Sequence, residues 1–357
     1  MKLEVDIRKT FGDFVFESSF EVRDNVLAIL GASGSGKTLT LKCIAGVETP
    51  DEGRIVLGGR VLFDSANKIN VPARKRNIGF LFQDYALFPN MTVRQNIACT
   101  SKDESKVDDI IERFGLSRVS KLYPAQLSGG QSQRTAIARM LLTDPELIML
   151  DEPFSALDNY LKFRIEQEIF ALIEEFSGPI IVVSHDRNEV YRMADYIGVM
   201  DGGKLIGVQG KREFFDHPAS VGATRLTGCK NVSEVKKVKD DIYRAEDWGI
   251  NITIPNQNDK DIRYVGYRAH YFEMVEKDEP TNVFRGKIQR IIEDTFSVMV
   301  CFRQADNKSV SPDSVLTWVV SKDRWNDIKD EINGENRSLE KKFYLKLYPE
   351  NLIALER

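Results

Sequence analysis

Up to about residue 230, four short apolar runs punctuate the chain: Val26–Leu30, Ile78–Phe82, Leu147–Leu150 and Ile180–Val183. Their length and their aliphatic, partly β-branched content read as strands buried on both faces. Residues 105–114, 129–143 and 158–176 carry helical patterns between them. The alternation predicts an α/β architecture, a mostly parallel sheet covered by helices. Asp201-Gly202-Gly203-Lys204 predicts a hairpin turn joining Tyr196–Met200 to Leu205–Val208, and Asp216-His217-Pro218 then breaks the pattern.

Beyond about residue 235 the texture changes. Tyr264–Tyr267, Phe284–Ile292, Phe296–Phe302, Leu316–Val320 and Phe343–Leu347 have strand character and are separated by polar, Asn/Asp-rich turns. They predict a smaller β-rich, barrel-like domain. The expected division is a first domain at 1–232 and a β-rich one at 233–357. The sequence shows neither an internal repeat nor a low-complexity tract.

Bulk composition narrows the classes. The 357 residues are 42% hydrophobic and 29% charged, as in an ordinary soluble chain, and the net charge of -4 argues against bulk electrostatic binding of nucleic acid. No run approaches the roughly 18 apolar residues of a membrane span, and the charged start Met1-Lys2-Leu3-Glu4 holds no signal core. Cys43, Cys99, Cys229 and Cys301 are far apart, which points to reduced thiols in the cytosol. With histidines only at 185, 217 and 270, no zinc cluster is expected.

Candidate chemistry concentrates in three segments. Gly31-Ala32-Ser33-Gly34-Ser35-Gly36-Lys37-Thr38 fits the G-x-x-x-x-G-K-[ST] phosphate loop, between a buried run and a helix start spanning Thr38–Lys42 with Thr40. Such a loop surrounds phosphate with backbone N–H groups and the positive end of a helix dipole. Lys37 would reach the β- and γ-phosphates and Thr38 would hold Mg²⁺. The bland reading is an accidental Gly/Ser turn. Leu147–Glu152 is an apolar strand ending in two acids: Asp151 is placed for Mg²⁺, directly or through water, and Glu152 for polarising the attacking water. Alone, it reads equally as a strand followed by an acidic helix cap. Leu127-Ser128-Gly129-Gly130-Gln131 opens another helix, with Ser128 as N-cap and free N–H groups for an anion. As an isolated segment it is a capped helix after a turn, and nothing local explains a second phosphate-binding helix start.

Taken in order, these segments resemble the ATP-binding cassette ATPases over roughly residues 1–230. Walker A is Gly31–Thr38, the Q-loop Phe82-Gln83-Asp84, the signature Leu127–Gln131, Walker B Leu147–Asp151 with Glu152 following, the D-loop Ser155-Ala156-Leu157-Asp158, and the switch histidine Ser184-His185-Asp186. In that family two cassettes stack head to tail, so the signature of one closes on ATP held by the other. The resemblance therefore implies ATP and Mg²⁺ as ligands and a second copy of the chain as partner. It implies that Lys37, Gln83, Glu152 and His185 are catalytic. Gln83 would sense Mg²⁺ and water and link the site to a transmembrane partner, and His185 would contact the γ-phosphate. It implies that Gly31, Ser33, Gly34, Ser35, Gly36, Lys37, Thr38 and Thr40 bind nucleotide in one chain. Ser128, Gly129, Gly130, Gln131 and Asp158 would act across the dimer. Thr38, Gln83 and Asp151 would hold the metal. Phe11 stands where an aromatic often stacks on adenine, and is equally readable as a core residue.

Gln83–Val93 and Asp151–Asp158 are similar to importer ATPases serving sulfate, molybdate, polyamines, iron and sugars. The apolar residues after Gln83 suit a groove for a short helix of a permease, or ordinary packing. Gly266-Tyr267-Arg268-Ala269-His270 and Tyr348–Leu352 are similar to segments of the C-terminal oligonucleotide-binding-like (TOBE) regulatory domain of that subgroup, with Ala269-His270 replacing Pro-Glu. Thr224–Asn231 looks most like the molybdate or sulfate branch. The resemblance implies two permease subunits, an extracytoplasmic solute-binding protein acting indirectly, no nucleic acid, and a place on the cytoplasmic face of the membrane. Alternatives are an iron, polyamine or sugar importer and a soluble cassette ATPase of repair or translation. Those soluble enzymes usually carry two cassettes or a long coiled coil, which this chain lacks.

Overall fold

The four apolar runs are parallel neighbours at one end of a single sheet. A computed structural model describes residues 1–155, 159–255, 261–275, 282–305, 314–333 and 342–356. In it β1 (Lys2–Phe11), β2 (Phe14–Arg23) and β3 (Val26–Leu30) precede α1 (Lys37–Ala45). Then come β4 (Glu52–Leu57), β5 (Arg60–Asp64), β6 (Ile69–Asn70) and β7 (Ile78–Leu81), followed by α2 (Val93–Ala98), α3 (Glu104–Arg113) and α4 (Gly129–Leu141). The last stretch is β8 (Leu147–Asp151), α5 (Asn159–Glu175), β9 (Ile180–Ser184), α6 (Arg187–Met193), β10 (Tyr196–Asp201) and β11 (Lys204–Gly210).

These strands form one 11-stranded sheet in the order β6-β5-β4-β1-β2-β11-β10-β3-β9-β8-β7. From β10 to β7 the pairing is parallel, and every residue of β3, β8 and β9 is buried. Burying each such aliphatic side chain contributes roughly 1.5–3 kcal/mol, so this region is the stable floor of the site. From β6 to β2 the pairing is antiparallel, so the sheet is mixed rather than mostly parallel. β1 shows why: Leu3, Val5 and Ile7 are buried while alternate residues face solvent, the signature of a half-covered antiparallel strand. The hairpin at Gly202–Gly203 joins β10 to β11 as expected.

The chain divides into two units, Met1–Lys211 and Arg212–Arg357. Residues shortly before 232 pack with the second unit: Val221 lies against Cys229, Val232, Ile353 and Leu355, and Arg268 donates to Phe215 O and, at 3.4 Å, to Thr227 O. The division falls at the first residue of α7 (Lys211–Asp216), and α8 (Val221–Leu226) follows in the second unit. That unit continues through β12 (Asn231–Lys239), β13 (Ile242–Ala245), β14 (Ile250–Thr253), β15 (Tyr264–Tyr267), β16 (Glu273–Met274), β17 (Val283–Glu293), β18 (Ser297–Gln304), β19 (Leu316–Ser321), α9 (Lys322–Asn333), β20 (Lys342–Lys346) and β21 (Leu352–Leu355). The strands form two five-stranded antiparallel sheets, β14-β13-β12-β15-β21 and β16-β20-β17-β18-β19. Both sheets contribute to one core around Trp248, Tyr267, Phe302 and Phe343. Among the described residues no ladder closes them into a barrel.

Candidate nucleotide site

The phosphate loop joins the buried end of β3 to α1. Gly36 caps α1 with φ +110°, which only glycine adopts without strain, and no side chain takes the helix's first N–H groups. A Cβ at Gly31 would stand 2.2 Å from Met200 O, so the loop lies directly on β10. The Lys37 ammonium is almost fully buried and donates to Gly31 O at 3.0 Å and Ala32 O at 2.8 Å. Burial pulls its pKa below the ordinary lysine range, against the pull of Glu152 and Asp151. Ser35 Oγ is buried with no hydrogen-bond partner. A lysine held only by neutral carbonyls, an orphaned hydroxyl and open helix N–H groups together fit a polyanion.

Thr38 Oγ1 donates to Asp151 Oδ1 at 2.9 Å. Asp151 ends β8, is buried, and has its pKa raised by that burial despite the Thr38 hydrogen bond. A hydroxyl beside a desolvated carboxylate is a hard-oxygen pair of the kind that Mg²⁺ selects, phosphate oxygens supplying further ligands. Thr40 is turned the other way: it is fully buried and its hydroxyl donates to Gly36 O at 3.3 Å.

Glu152 sits at φ +46°, an unusual conformation for a glutamate, held by its N–H donating to Val183 O at 2.9 Å. Its Oε1 is 3.3 Å from His185 Nδ1, and its Oε2 accepts from Gln83 Nε2 at 3.5 Å. Gln83 also reaches Ser155 Oγ at 3.4 Å. Three residues from three loops after β7, β8 and β9 thus converge on one point beside the phosphate loop. Ser155 is a member of this group without an assigned role; only its place in the D-loop signals it.

Ser128 caps α4, accepting from Gln131 N at 3.3 Å, while Gln131 Oε1 accepts from Ser128 N at 2.9 Å. Among the described residues no hydrogen bond joins Ser128–Gln131 to the phosphate loop of the same chain. The middle of α4 serves the other motifs. Arg139 donates to Tyr85 O and Ala86 O at 2.9 and 2.8 Å and so secures two positive-φ residues just after Gln83. Tyr85 OH donates to Gln133 Oε1 at 3.3 Å, and Gln133 Nε2 donates to Pro153 O at 2.8 Å. This chain links three motifs that sequence spacing leaves unconnected. A groove of about 250 Å³ lined by Val47, Phe80, Phe82, Arg139 and Met140 adjoins Gln83.

Phe11 ends β1 and is 46% exposed, so it is not a core residue; the Lys9 ammonium lies 5.0 Å from its ring centroid. Ser33 is exposed and Gly34 adopts φ +78°. Asp158 lies outside the described residues. Among the described residues no helix is long and apolar enough to cross a membrane.

The ABC transporter family model matches residues 17–155. The chain is 35% identical to the sulfate/thiosulfate import ATP-binding protein CysA of Synechocystis over 316 residues, 85% of each chain. It is 40% identical to the molybdenum import ATP-binding protein ModC of Paramagnetospirillum magneticum over 209 residues, 57% of this chain and 58% of that one. It is 34% identical to the Fe(3+) ions import ATP-binding protein FbpC of Haemophilus influenzae over 278 residues, 75% of this chain and 78% of that one. In structure it is similar to the ATP-binding cassette MJ0796 in a dimeric post-hydrolysis state bound to ADP and Pi. The TM-score is 0.51 and the identity 27%, over 59% of this chain and 99% of that one. With the phosphate loop, the acid pair and the converging Gln83 and His185 in place, the chain belongs to the ATP-binding cassette family as the ATP-hydrolysing subunit of an importer.

Proposed function

We propose that this subunit energises uptake of a tetrahedral oxyanion, molybdate or sulfate, from the cytoplasmic face of the membrane. What supports the anion class is the reach of the similarity: the sulfate/thiosulfate relative matches across 85% of the chain, into the second unit. In this reading the first unit, to Lys211, is the ATPase and the second a regulatory domain, so the expected boundary at 232 moves back by about two short helices.

The observation carrying the chemistry is the convergence of Gln83, Glu152 and His185 beside a preformed phosphate cradle. ATP lies in Gly31–Thr38 with its adenine on Phe11. Lys37 exchanges two backbone carbonyls for the β- and γ-phosphates, which its buried charge favours. Thr38 and Asp151, with Gln83 from across the site, would hold Mg²⁺, which would supply positive charge to neutralise the phosphates. Glu152 orients and polarises the attacking water, and His185 steadies Glu152 and contacts the γ-phosphoryl group. Ser128, Gly129, Gly130 and Gln131 of a second copy, stacked head to tail, face the same γ-phosphate; Gly129 and Gly130 present their N–H groups while those of Ser128 and Gln131 stay in the capping box, and Asp158 acts across the dimer. Catalysis is then positioning plus electrostatics. The groove beside Gln83 receives a helix from each of two permease subunits, so closure of the dimer moves the membrane partners. A solute-binding protein engages those partners and not this chain.

Uptake of labelled molybdate, sulfate and ferric iron by cells carrying either the wild-type chain or Glu152→Gln tests this. Loss of one oxyanion only in the variant names the solute. Persistence of both oxyanions with loss of iron overturns the anion assignment. Iron is the second reading because the ferric-ion relative, at 34% identity, also covers 75% of the chain.

A further inference from the structure

His185 lies between two residues that carry the hydrogen bonds of its loop. Ser184, the last residue of β9, is buried, and its hydroxyl donates to Glu189 Oε2 at 2.6 Å. The same hydroxyl oxygen accepts the N–H of Asp186 at 3.0 Å. Asp186 caps α6, accepting from Asn188 N at 2.8 Å and Glu189 N at 3.4 Å. Lys162, from the first turn of α5, bridges both acids: its Nζ is 2.5 Å from Glu189 Oε1 and 3.3 Å from Asp186 Oδ2. One turn along, Glu166 of α5 pairs with Arg192 of α6 at 3.1 Å. Positions 162 and 166 share one helix face, so the two helices are tied twice along one seam.

Glu189 is buried and carries both of its oxygens into this network. A buried carboxylate is tolerated only when paired and hydrogen-bonded, and Lys162 and Ser184 meet that need. Burial opposes the Lys162 charge, yet its acid partners outweigh that and hold the ammonium above the ordinary range. The His185 side chain is 59% exposed, and among the described residues its ion-pair partner is Glu152. Its ring is therefore placed by its backbone rather than by packing around it, and the Ser184–Asp186 hydrogen bonds fix that backbone.

We infer that Lys162, Glu189 and Ser184 form a network that holds the His185 loop against Glu152, making Lys162 a positioning residue for ATP hydrolysis. The inference rests on the reading of His185 as a contact of the γ-phosphate and of Glu152. A pair that merely pinned α5 to α6 would influence melting and leave turnover alone.

Four variants separate these cases: Lys162→Met, Lys162→Arg, the double variant K162M/E189M, and His185→Ala. For each, kcat and KM for ATP are measured together with the melting temperature. The double variant keeps an apolar seam of similar volume, so it is expected to fold even where Lys162→Met, with its stranded Glu189, does not. Expected is a fall in kcat of about tenfold in the double variant, within the roughly 10²-fold that misplacing a catalytic group by about 1 Å costs. KM and melting stay near wild type, and Lys162→Arg retains most of the turnover. A double variant with wild-type kcat overturns the inference, as does a kcat that falls only in step with melting. If His185→Ala itself keeps full turnover, the reading of His185 fails and takes the inference with it. If His185→Ala loses turnover and the Lys162 variants do not, only the inference fails.

Discussion

Lys37 and Asp151 are 4% and 3% exposed, and hydrogen bonds of 2.8 to 3.0 Å hold Lys37 and the Thr38–Asp151 pair. Across the site, the His185 side chain is 59% exposed and Gln83 reaches Glu152 and Ser155 only at 3.5 and 3.4 Å. The phosphate side is thus finished before ligand arrives, resting on fully buried strands. The water side is assembled from loop residues with room to tighten. Preorganisation lowers the cost of binding, whereas groups that tighten late contribute mainly to the transition state. Substitutions on the two sides should therefore separate KM from kcat.

The largest effect is expected at Glu152. Glu152→Gln keeps the shape and removes the base, so kcat should fall by about 10²–10⁴-fold with ATP binding retained. Single-turnover assays and sizing with ATP should show trapped nucleotide and a persistent dimer; rapid turnover would remove Glu152 from its assigned role. Lys37→Ala breaks the opposite side. Losing the one buried ammonium of the cradle should lower kcat/KM by about 10²–10³-fold and abolish the ATP-dependent rise in melting temperature. If Lys37→Ala bound ATP normally and lost only kcat, the division between the two sides would be wrong. Gln83→Ala removes long, exposed hydrogen bonds worth about 0.5–1.5 kcal/mol each, so kcat should fall only about 2- to 10-fold with KM unchanged. A larger loss, measured in the isolated subunit, would mean that the proposed hold of Gln83 on Mg²⁺ outweighs its hydrogen bonds to Glu152 and Ser155.

The same contrast governs what the sequence reveals. Val26–Leu30, Leu147–Asp151 and Ile180–Ser184 are buried on both faces, so each reads as an unbroken apolar run. β1 and β2 bury one face only, and Leu3, Val5 and Ile7 are diluted by lysine, aspartate and arginine; that is how half of the sheet escapes an expectation built on runs. In the second unit β12 hides behind Lys236, Lys237 and Lys239, and α9 buries just Trp325 and Ile328 among its described side chains. The site motifs are legible because each is contiguous and chemically constrained. The links between them are not: Tyr85 and Gln133 are 48 residues apart, Gln83 and Ser155 72, and Lys162 and Asp186 24, distances that only the folded sheet closes.

The smallest expected effect sharpens the comparison from the buried side. Burial makes the Asp151 carboxylate harder to ionise in the folded chain than in the unfolded one, a penalty that the Thr38 hydrogen bond only partly offsets. As pH rises from the ordinary carboxylate range through the raised folded value, the unfolded chain has lost a proton that the folded chain still holds. Apo stability therefore falls across that window, and above it the penalty is fully present. Asp151→Asn keeps an acceptor for Thr38 and removes the charge. Its apo form should melt a few degrees above wild type near neutral pH, an advantage that shrinks on acidification as the wild-type carboxyl takes up its proton. Adding Mg²⁺ and ATP should reverse the order, because only the wild-type carboxylate gains a cation to answer its charge. Melting curves with and without Mg²⁺ and ATP, at neutral and mildly acidic pH, decide it. A variant that melts below wild type without ligand would show that Asp151 supports the fold, and that the cradle's buried charge is not a cost held in readiness for the metal and the phosphates.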